Sequence, residues 1–236
     1  MTTFVLIPGA WHGAWCWERV TPLLEAGGHR VIAPELIGMG ADRARAAQGG
    51  LAAWAEQVAG IVEAAGEPVV LCGHSRGGAV ISLVAERVPE RIAALVYITA
   101  LLVPDGKAIR DLMAQFADPS AMPAEKLPDG TSRLAPEAVI AAAYNTTPPD
   151  LAARAASLVS PEPRGTMATP LAVSTERFGR VRRAYVECLQ DRVLPIAGQR
   201  SMQAELPCDP VITLDCDHSP FYSAPEKLAA ALVAVG

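Results

Sequence analysis

The sequence predicts an α/β architecture: one open, mostly parallel sheet of about six strands, helices on both faces, and a helical cap inserted late in the chain. Three observations carry this. Short β-branched and apolar runs alternate with helical patterns, which implies right-handed crossovers between parallel strands. The runs lack strict polar alternation, as expected of strands covered on both faces. Between about Val103 and Arg180 the alternation stops, and helical patterns rich in Ala, Pro and Met take over.

The strand candidates, in order, are Thr3–Ile7, Arg30–Ala33, Val69–Cys72, Ala94–Thr99, Arg183–Cys188 and Val211–Leu214. Helical patterns fall between them at Trp17–Ala26, Leu51–Ala65, Gly77–Arg87 and Gln199–Glu205. A final helix over Pro225–Val235 opens with Pro at its first position, where the missing N–H costs nothing. In the long interval, helices are expected at Lys107–Phe116, Pro136–Tyr144 and Pro149–Leu158, with no strand among them. The division is a core of residues 1–102 and 181–236 carrying an insertion at 103–180, together one domain. A helical insertion between two core strands suits a lid over a pocket at the strands' carboxyl ends.

Composition narrows the function classes. Apolar residues make up 51% of the 236, charged residues 19%, and the net charge is −5, so a large core is available and no basic nucleic-acid footprint is expected. The five cysteines are odd in number and form no ligand pairs; Cys72 and Cys188 sit in apolar runs as small core groups. No metal, a reduced cytoplasmic setting and no signal peptide are the corresponding expectations. The longest apolar stretch, Ile92 to Val103, is too short to span a bilayer.

The chemistry concentrates at Gly73-His74-Ser75-Arg76-Gly77, a G-x-S-x-G pattern with a strand before it and a helix after it. Such a turn strains the serine backbone, aims its hydroxyl outward and sets it at a helix N-terminus, where free N–H groups favour negative charge. Ser75 is therefore the candidate nucleophile. It needs a base, and the chain has only His12, His29, His74 and His218. His29 sits in a Gly-rich surface turn, and His74 lies within the turn itself, suited to packing. His12 follows the first strand and can shape a pocket. His218 follows the last strand and is the candidate base. The orienting carboxylate is Asp191, after Arg183–Cys188, with Asp105 as the competitor; Asp215 and Asp217 fit loop-capping roles.

These residues resemble a known family. Phe4-Val5-Leu6-Ile7-Pro8-Gly9-Ala10-Trp11-His12-Gly13-Ala14-Trp15-Cys16-Trp17, the Gly73–Gly78 turn, Asp191 and Asp217-His218-Ser219-Pro220-Phe221 are similar to the α/β-hydrolases related to plant methylesterases and hydroxynitrile lyases, with their bacterial esterase relatives. The resemblance covers nearly the whole chain and is weakest in the insertion. It implies a six-stranded sheet with a helical cap, no cofactor, a tendency to form homodimers, and an oxyanion hole from the backbone N–H groups of Ala10 and Arg76. Trp11 either lines the pocket or packs. Pro8 stands where many relatives have His. The lyases of the family carry a hydroxyl-bearing residue and a Lys where this chain has Gly9 and Ser219.

The expected activity is hydrolysis of a small or medium carboxylic ester through an acyl-enzyme on Ser75. The alternatives are cleavage of a hydroxynitrile or of a C–C or C–N bond on the same triad, or a receptor that binds without turnover. Met113, Phe116, Met122, Leu127 and Tyr144 are apolar enough to line the pocket, or to be core. The Arg76 side chain either meets a substrate carboxylate or pairs with an acid beneath the cap, and Arg76→Leu is expected to change substrate preference more than turnover.

Overall fold

The computed structural model describes residues 1–116 and 122–236. Among the described residues, eight strands and nine α-helices follow in chain order, with 3₁₀ turns between some of them. They are β1 (Thr3–Ile7), α1 (Thr21–Ala26), β2 (Arg30–Ile32), α2 (Leu51–Ala64), β3 (Val69–His74), α3 (Gly77–Arg87), β4 (Ile92–Ile98), α4 (Ile109–Phe116), β5 (Ala124–Lys126), β6 (Ser132–Leu134), α5 (Pro136–Ala143), α6 (Pro149–Leu158), β7 (Arg183–Cys188), α7 (Ile196–Glu205), β8 (Val211–Leu214), α8 (Pro220–Ser223) and α9 (Pro225–Val235).

Six strands form one sheet in the order β2-β1-β3-β4-β7-β8, every neighbouring pair parallel. The chain moves outward from β1 to β2, returns across β1 to β3 and then builds toward β8. The crevice outside the strand ends at such a reversal is where open α/β sheets bind ligands. Strand periodicity divides the core in two. Val5, Ile7, Leu71, Leu95 and Tyr97 face α2 and α3, whereas Phe4, Leu6, Val70, Cys72, Val96 and Ile98 face α1 and α9. Both faces of the inner strands are thus apolar, which is why the sequence runs read as continuous rather than alternating. The edge strands β2 and β8 are partly exposed.

The Trp17–Ala26 helix is shorter than its pattern suggested. A 3₁₀ turn takes Ala14–Trp17, and α1 starts only at Thr21, with Pro22 in its first turn. The insertion also departs from the all-helical expectation. Strands β5 and β6 pair antiparallel as a small hairpin between α4 and α5. Its signal is Asp129-Gly130: Gly130 takes φ +83°, and the Asp129 carboxylate accepts bonds from the Thr131 N–H at 2.9 Å and hydroxyl at 2.7 Å. The strands are polar and only three residues each, so the turn, not the strand pattern, carries the information. Among the described residues, no helix is long and apolar enough to cross a membrane.

Candidate active site

Strand β3 delivers its last residue, His74, into a turn of two residues before α3 begins at Gly77. Ser75 takes φ +51°, a left-handed conformation uncommon for a side-chain-bearing residue. The turn holds it there: the Ser75 N–H donates to the Ile98 carbonyl at 3.3 Å, and its own carbonyl accepts from Gly78 and Leu101, each at 3.0 Å. The flanking glycines are required by space. A Cβ on Gly73 would stand 2.6 Å from the Gly77 carbonyl oxygen, and one on Gly77 would stand 2.8 Å from that of Ile7. Strand and helix can approach closely enough to form the turn only without those atoms.

His218 and Asp191 arrive on the loops after β8 and β7, at the same end of the sheet. The Nδ1 of His218 lies 2.6 Å from Asp191 Oδ2, with both side chains buried. A carboxylate there holds the proton on Nδ1 and leaves Nε2 free to accept one. Asp191 is itself fixed: Oδ1 accepts from the N–H groups of Val193 at 2.7 Å and Leu194 at 2.8 Å, and Oδ2 also accepts from the Thr99 hydroxyl. The competitor, Asp105, is exposed and accepts from the Val173 N–H instead. Asp217 caps a loop, accepting from Thr146, Thr147, Ser219 and Ser223.

The other histidines are structural neighbours. His74 Nε2 donates to the carbonyl of His218 at 2.7 Å, tying the end of β3 to the loop after β8. His12 Nδ1 donates to the Ala10 carbonyl at 2.7 Å, so its Nε2 accepts from the Tyr144 hydroxyl at 2.6 Å. Burial pushes the His12 pKa down to about 4, and burial drives His74 well below the ordinary imidazole range. Both rings are neutral near pH 7. His29 packs edge-on against Phe4.

A cavity of about 530 Å³ opens above Ser75 and His218, mostly apolar, with Trp11, Leu101, Met113, Met122 and Met167 in its wall and Arg110 beside them. A much smaller one, about 20 Å³, shares Ala10, Trp11, Ser75, Met122, Val193 and His218 with it and reaches toward His12, Val139 and Ala143. The N–H groups of Ala10 and Arg76 donate to no acceptor among the described residues. Among those residues, no three or more His, Cys, Asp or Glu side chains gather as a metal-ligand set.

Of the residues the sequence proposed for the pocket, Trp11, His12, Met113 and Met122 lie on one cavity or both. Trp11 does both things weighed for it, lining the cavity while its indole N–H donates to the Ser132 carbonyl at 3.1 Å. Three require correction. Phe116 packs against Gly198 of α7, Leu127 sits at the hairpin turn, and Tyr144 is buried with its hydroxyl on His12. The apolar character of Phe116 and Tyr144 is spent on packing, a distinction invisible to hydropathy. Arg76, next to Ser75 in sequence, borders the cavity, but its side chain is wholly buried and lies 3.0 Å from Glu162, which favours the pairing role. Thr99, Glu162, Leu101, Arg110 and Met167 carried no sequence signal, since each gains its role only by folding.

The open parallel sheet, strained serine turn and buried His–Asp pair define an α/β-hydrolase fold. The chain belongs to the Alpha/beta hydrolase family, whose sequence profile matches residues 4–231. It is 32% identical to methyl jasmonate esterase 1 of Vitis vinifera over 251 aligned residues, covering 97% of this chain and 94% of the relative. It is 33% identical to the pyrethroid hydrolase of Sphingobium wenxiniae, covering 98% and 86%. The crystal structure of polyneuridine aldehyde esterase superposes with a TM-score of 0.89 at 26% identity, covering 100% of this chain and 99% of that one. The chain is an esterase-like member of its family.

Proposed function

We propose that the chain is a serine esterase that cleaves a carboxylic ester through an acyl-enzyme on Ser75, with His218 as base and Asp191 as the orienting acid. The observation that carries this is the His218–Asp191 contact beside the cavity that the strained Ser75 also lines. His218 Nε2 takes the Ser75 proton as its oxygen attacks the ester carbonyl. The resulting oxyanion is received by the N–H groups of Ala10 and Arg76. The tetrahedral adduct collapses, and the alcohol leaves with the proton from His218. Water then attacks the acyl-enzyme with the same base, releasing the acid and free Ser75.

The two cavities support an unsymmetrical ester. The larger accepts a bulky apolar acyl group, and the insertion at 103–180, which supplies Met113, Met122 and Met167, acts as its lid. The smaller has room for little more than one water or methyl group, which suits a short alcohol. Relatives named as a methyl jasmonate esterase and a pyrethroid hydrolase are in keeping with an ester substrate. Lyase chemistry is disfavoured. The position after His218 is the uncharged Ser219, and a Cβ on Gly9 would lie 2.7 Å from His74 Nδ1 and 2.9 Å from Ser75 Cβ. A hydroxyl-bearing side chain has no space there.

A panel of p-nitrophenyl esters run beside cyanohydrins tests the reaction. Ester turnover and stoichiometric fluorophosphonate labelling, both absent in Ser75→Ala, are expected. Cyanide release without ester turnover would reverse the assignment, and binding without any turnover would favour a receptor.

A further inference from the structure

The short loop Gly9-Ala10-Trp11 is gripped on both sides of Ala10 by one buried ion pair. Arg76 Nη2 donates to the Gly9 carbonyl at 2.8 Å, and Arg76 Nε lies 3.0 Å from Glu162 Oε1. The other oxygen of the same carboxylate, Glu162 Oε2, accepts the Trp11 N–H at 3.1 Å. The guanidinium carbon also lies over the Trp54 ring, 4.1 Å from its centroid. The Trp11 carbonyl is held by the Ser160 N–H at 2.8 Å, and Trp11 itself takes φ +61°. The Ala10 N–H, between these fixed points, is left without an acceptor among the described residues.

Burying two opposite charges is costly, and apolar residues of equal volume often stabilise a fold as well or better. Each charge here is 2% exposed or less, so the pair is better explained by the geometry it imposes than by stability. Arginine suits the task where lysine does not: one guanidinium can bond the Gly9 carbonyl through Nη2, keep Nε beside Glu162 and place its carbon over the Trp54 ring at the same time. Arg76 also directly follows Ser75, and its backbone N–H is the second proposed oxyanion donor.

We infer that Arg76 and Glu162 are positioning residues that lock the Ala10 N–H at a fixed place relative to Ser75 and the Arg76 N–H, so that the oxyanion hole is formed before substrate arrives. The inference rests on the serine-esterase reading. Arg76 contributes twice, by its backbone to the oxyanion and by its side chain to the loop bearing the other donor. Glu162 comes from the segment between α6 and β7, and its backbone is bonded in both directions to Ser132 of β6, at 3.0 and 2.8 Å. The oxyanion loop is thereby joined to the hairpin over the site. This replaces the expectation that Arg76→Leu acts on substrate preference.

The test compares wild type, Arg76→Met, Glu162→Gln and the double variant, which removes both buried charges yet keeps an acceptor for the Trp11 N–H. Arg76→Lys serves as the conservative replacement and the surface change Glu125→Gln as the control. Hydrolysis of p-nitrophenyl butyrate is measured together with binding of an aryl trifluoromethyl ketone, which forms a tetrahedral adduct, and of its reduced alcohol, which cannot. Displacement of one donor is expected to lower kcat and ketone affinity in parallel by about 10- to 100-fold, with alcohol affinity held within about threefold. Arg76→Lys should recover part of the loss. The inference is overturned by unchanged kcat and ketone binding in folded single variants, by equal loss of alcohol binding, or by activity that merely tracks the folded fraction of every variant. If wild type shows neither ester turnover nor Ser75 labelling, the esterase reading itself has failed.

Discussion

His218 Nδ1 and Asp191 Oδ2 are 2.6 Å apart, and Asp191 is held from its far side by the N–H groups of Val193 and Leu194. The carboxylate is therefore part of a rigid turn, and it sets both the tautomer and the direction of the imidazole. Asp191→Asn keeps the volume but removes the charge that stabilises a protonated His218. A fall in kcat of roughly 10³- to 10⁴-fold is expected, with KM little changed. Asp105→Asn should leave kcat within about twofold, because Asp105 caps Val173 on the surface. Steady-state kinetics of the two variants decide it: a large loss in Asp105→Asn alone would reassign the acid.

Two glycine-to-alanine changes, one at the serine turn and one inside α2, should have opposite signs. At Gly77 the added methyl meets backbone, the Ile7 and Pro8 carbonyl oxygens at 2.8 and 3.0 Å. Strand β1 cannot withdraw without disturbing its pairing on both sides, so Gly77→Ala should cost about 1–3 kcal/mol. Gly60, inside α2, has nothing within 4 Å of its would-be Cβ. There the gain in helix propensity dominates, and Gly60→Ala should add up to about 1 kcal/mol. Urea midpoints at constant m-value report both, and equal shifts would contradict the spatial argument.

These contrasts also locate what the sequence could reveal. The strands β1, β3, β4 and β7 are legible because their runs are buried on both faces, and with them the placing of Ser75, Asp191 and His218 beyond the ends of β3, β7 and β8. The hairpin of β5 and β6 escaped because two three-residue strands, polar except for Ala124 and Leu134, carry no periodic signal. Thr99 and Glu162 escaped for a different reason: a threonine just past a strand and a glutamate between two prolines acquire meaning only when Asp191 and Arg76 are folded against them. Tyr144 and Phe116 were apolar in the right region yet face His12 and Gly198, since hydropathy measures burial and not which space a side chain borders.

Stability should fall as the solution turns mildly acidic. His12 is neutral in the folded chain, its pKa pushed down to about 4 by burial, against about 6.5 when unfolded. Above pH 6.5 neither state binds the proton, and stability is unaffected. Between about 6.5 and 4 the unfolded chain binds it and the folded chain does not, so unfolding is favoured progressively. The loss from His12 is on the order of 3 kcal/mol and levels off below about pH 4. His74, lowered by the same cause, adds in the same direction. His12→Gln, which can still donate to Ala10 and accept from Tyr144, should flatten the slope in this window. Denaturation curves from pH 7 to 4 measure it, and an unchanged slope would mean that His12 does not resist protonation.

The unequal cavities at Ser75 predict how the enzyme ranks alcohols. The smaller, about 20 Å³, ends against Val139 and Ala143 of α5 and sits beside His12, whose ring is held at both nitrogens. A methyl group fits this space; each further methylene must displace packed side chains. For one apolar acid, kcat/KM should therefore drop by at least about tenfold from methyl to butyl ester, in line with the 1–3 kcal/mol that a pocket extracts per misplaced methylene. Val139→Ala should narrow that ratio by admitting the longer chain, while Ala143→Leu should depress even the methyl ester. Lengthening the acyl side should be tolerated, because the 530 Å³ cavity is walled by Met113, Met122 and Met167, unbranched side chains that repack readily. The competition assay is direct: mixed methyl and butyl esters of one acid, with released acid and alcohols followed by chromatography. A ratio near unity in wild type, or one unmoved by Val139→Ala, would assign the alcohol to the larger cavity and the acyl group elsewhere.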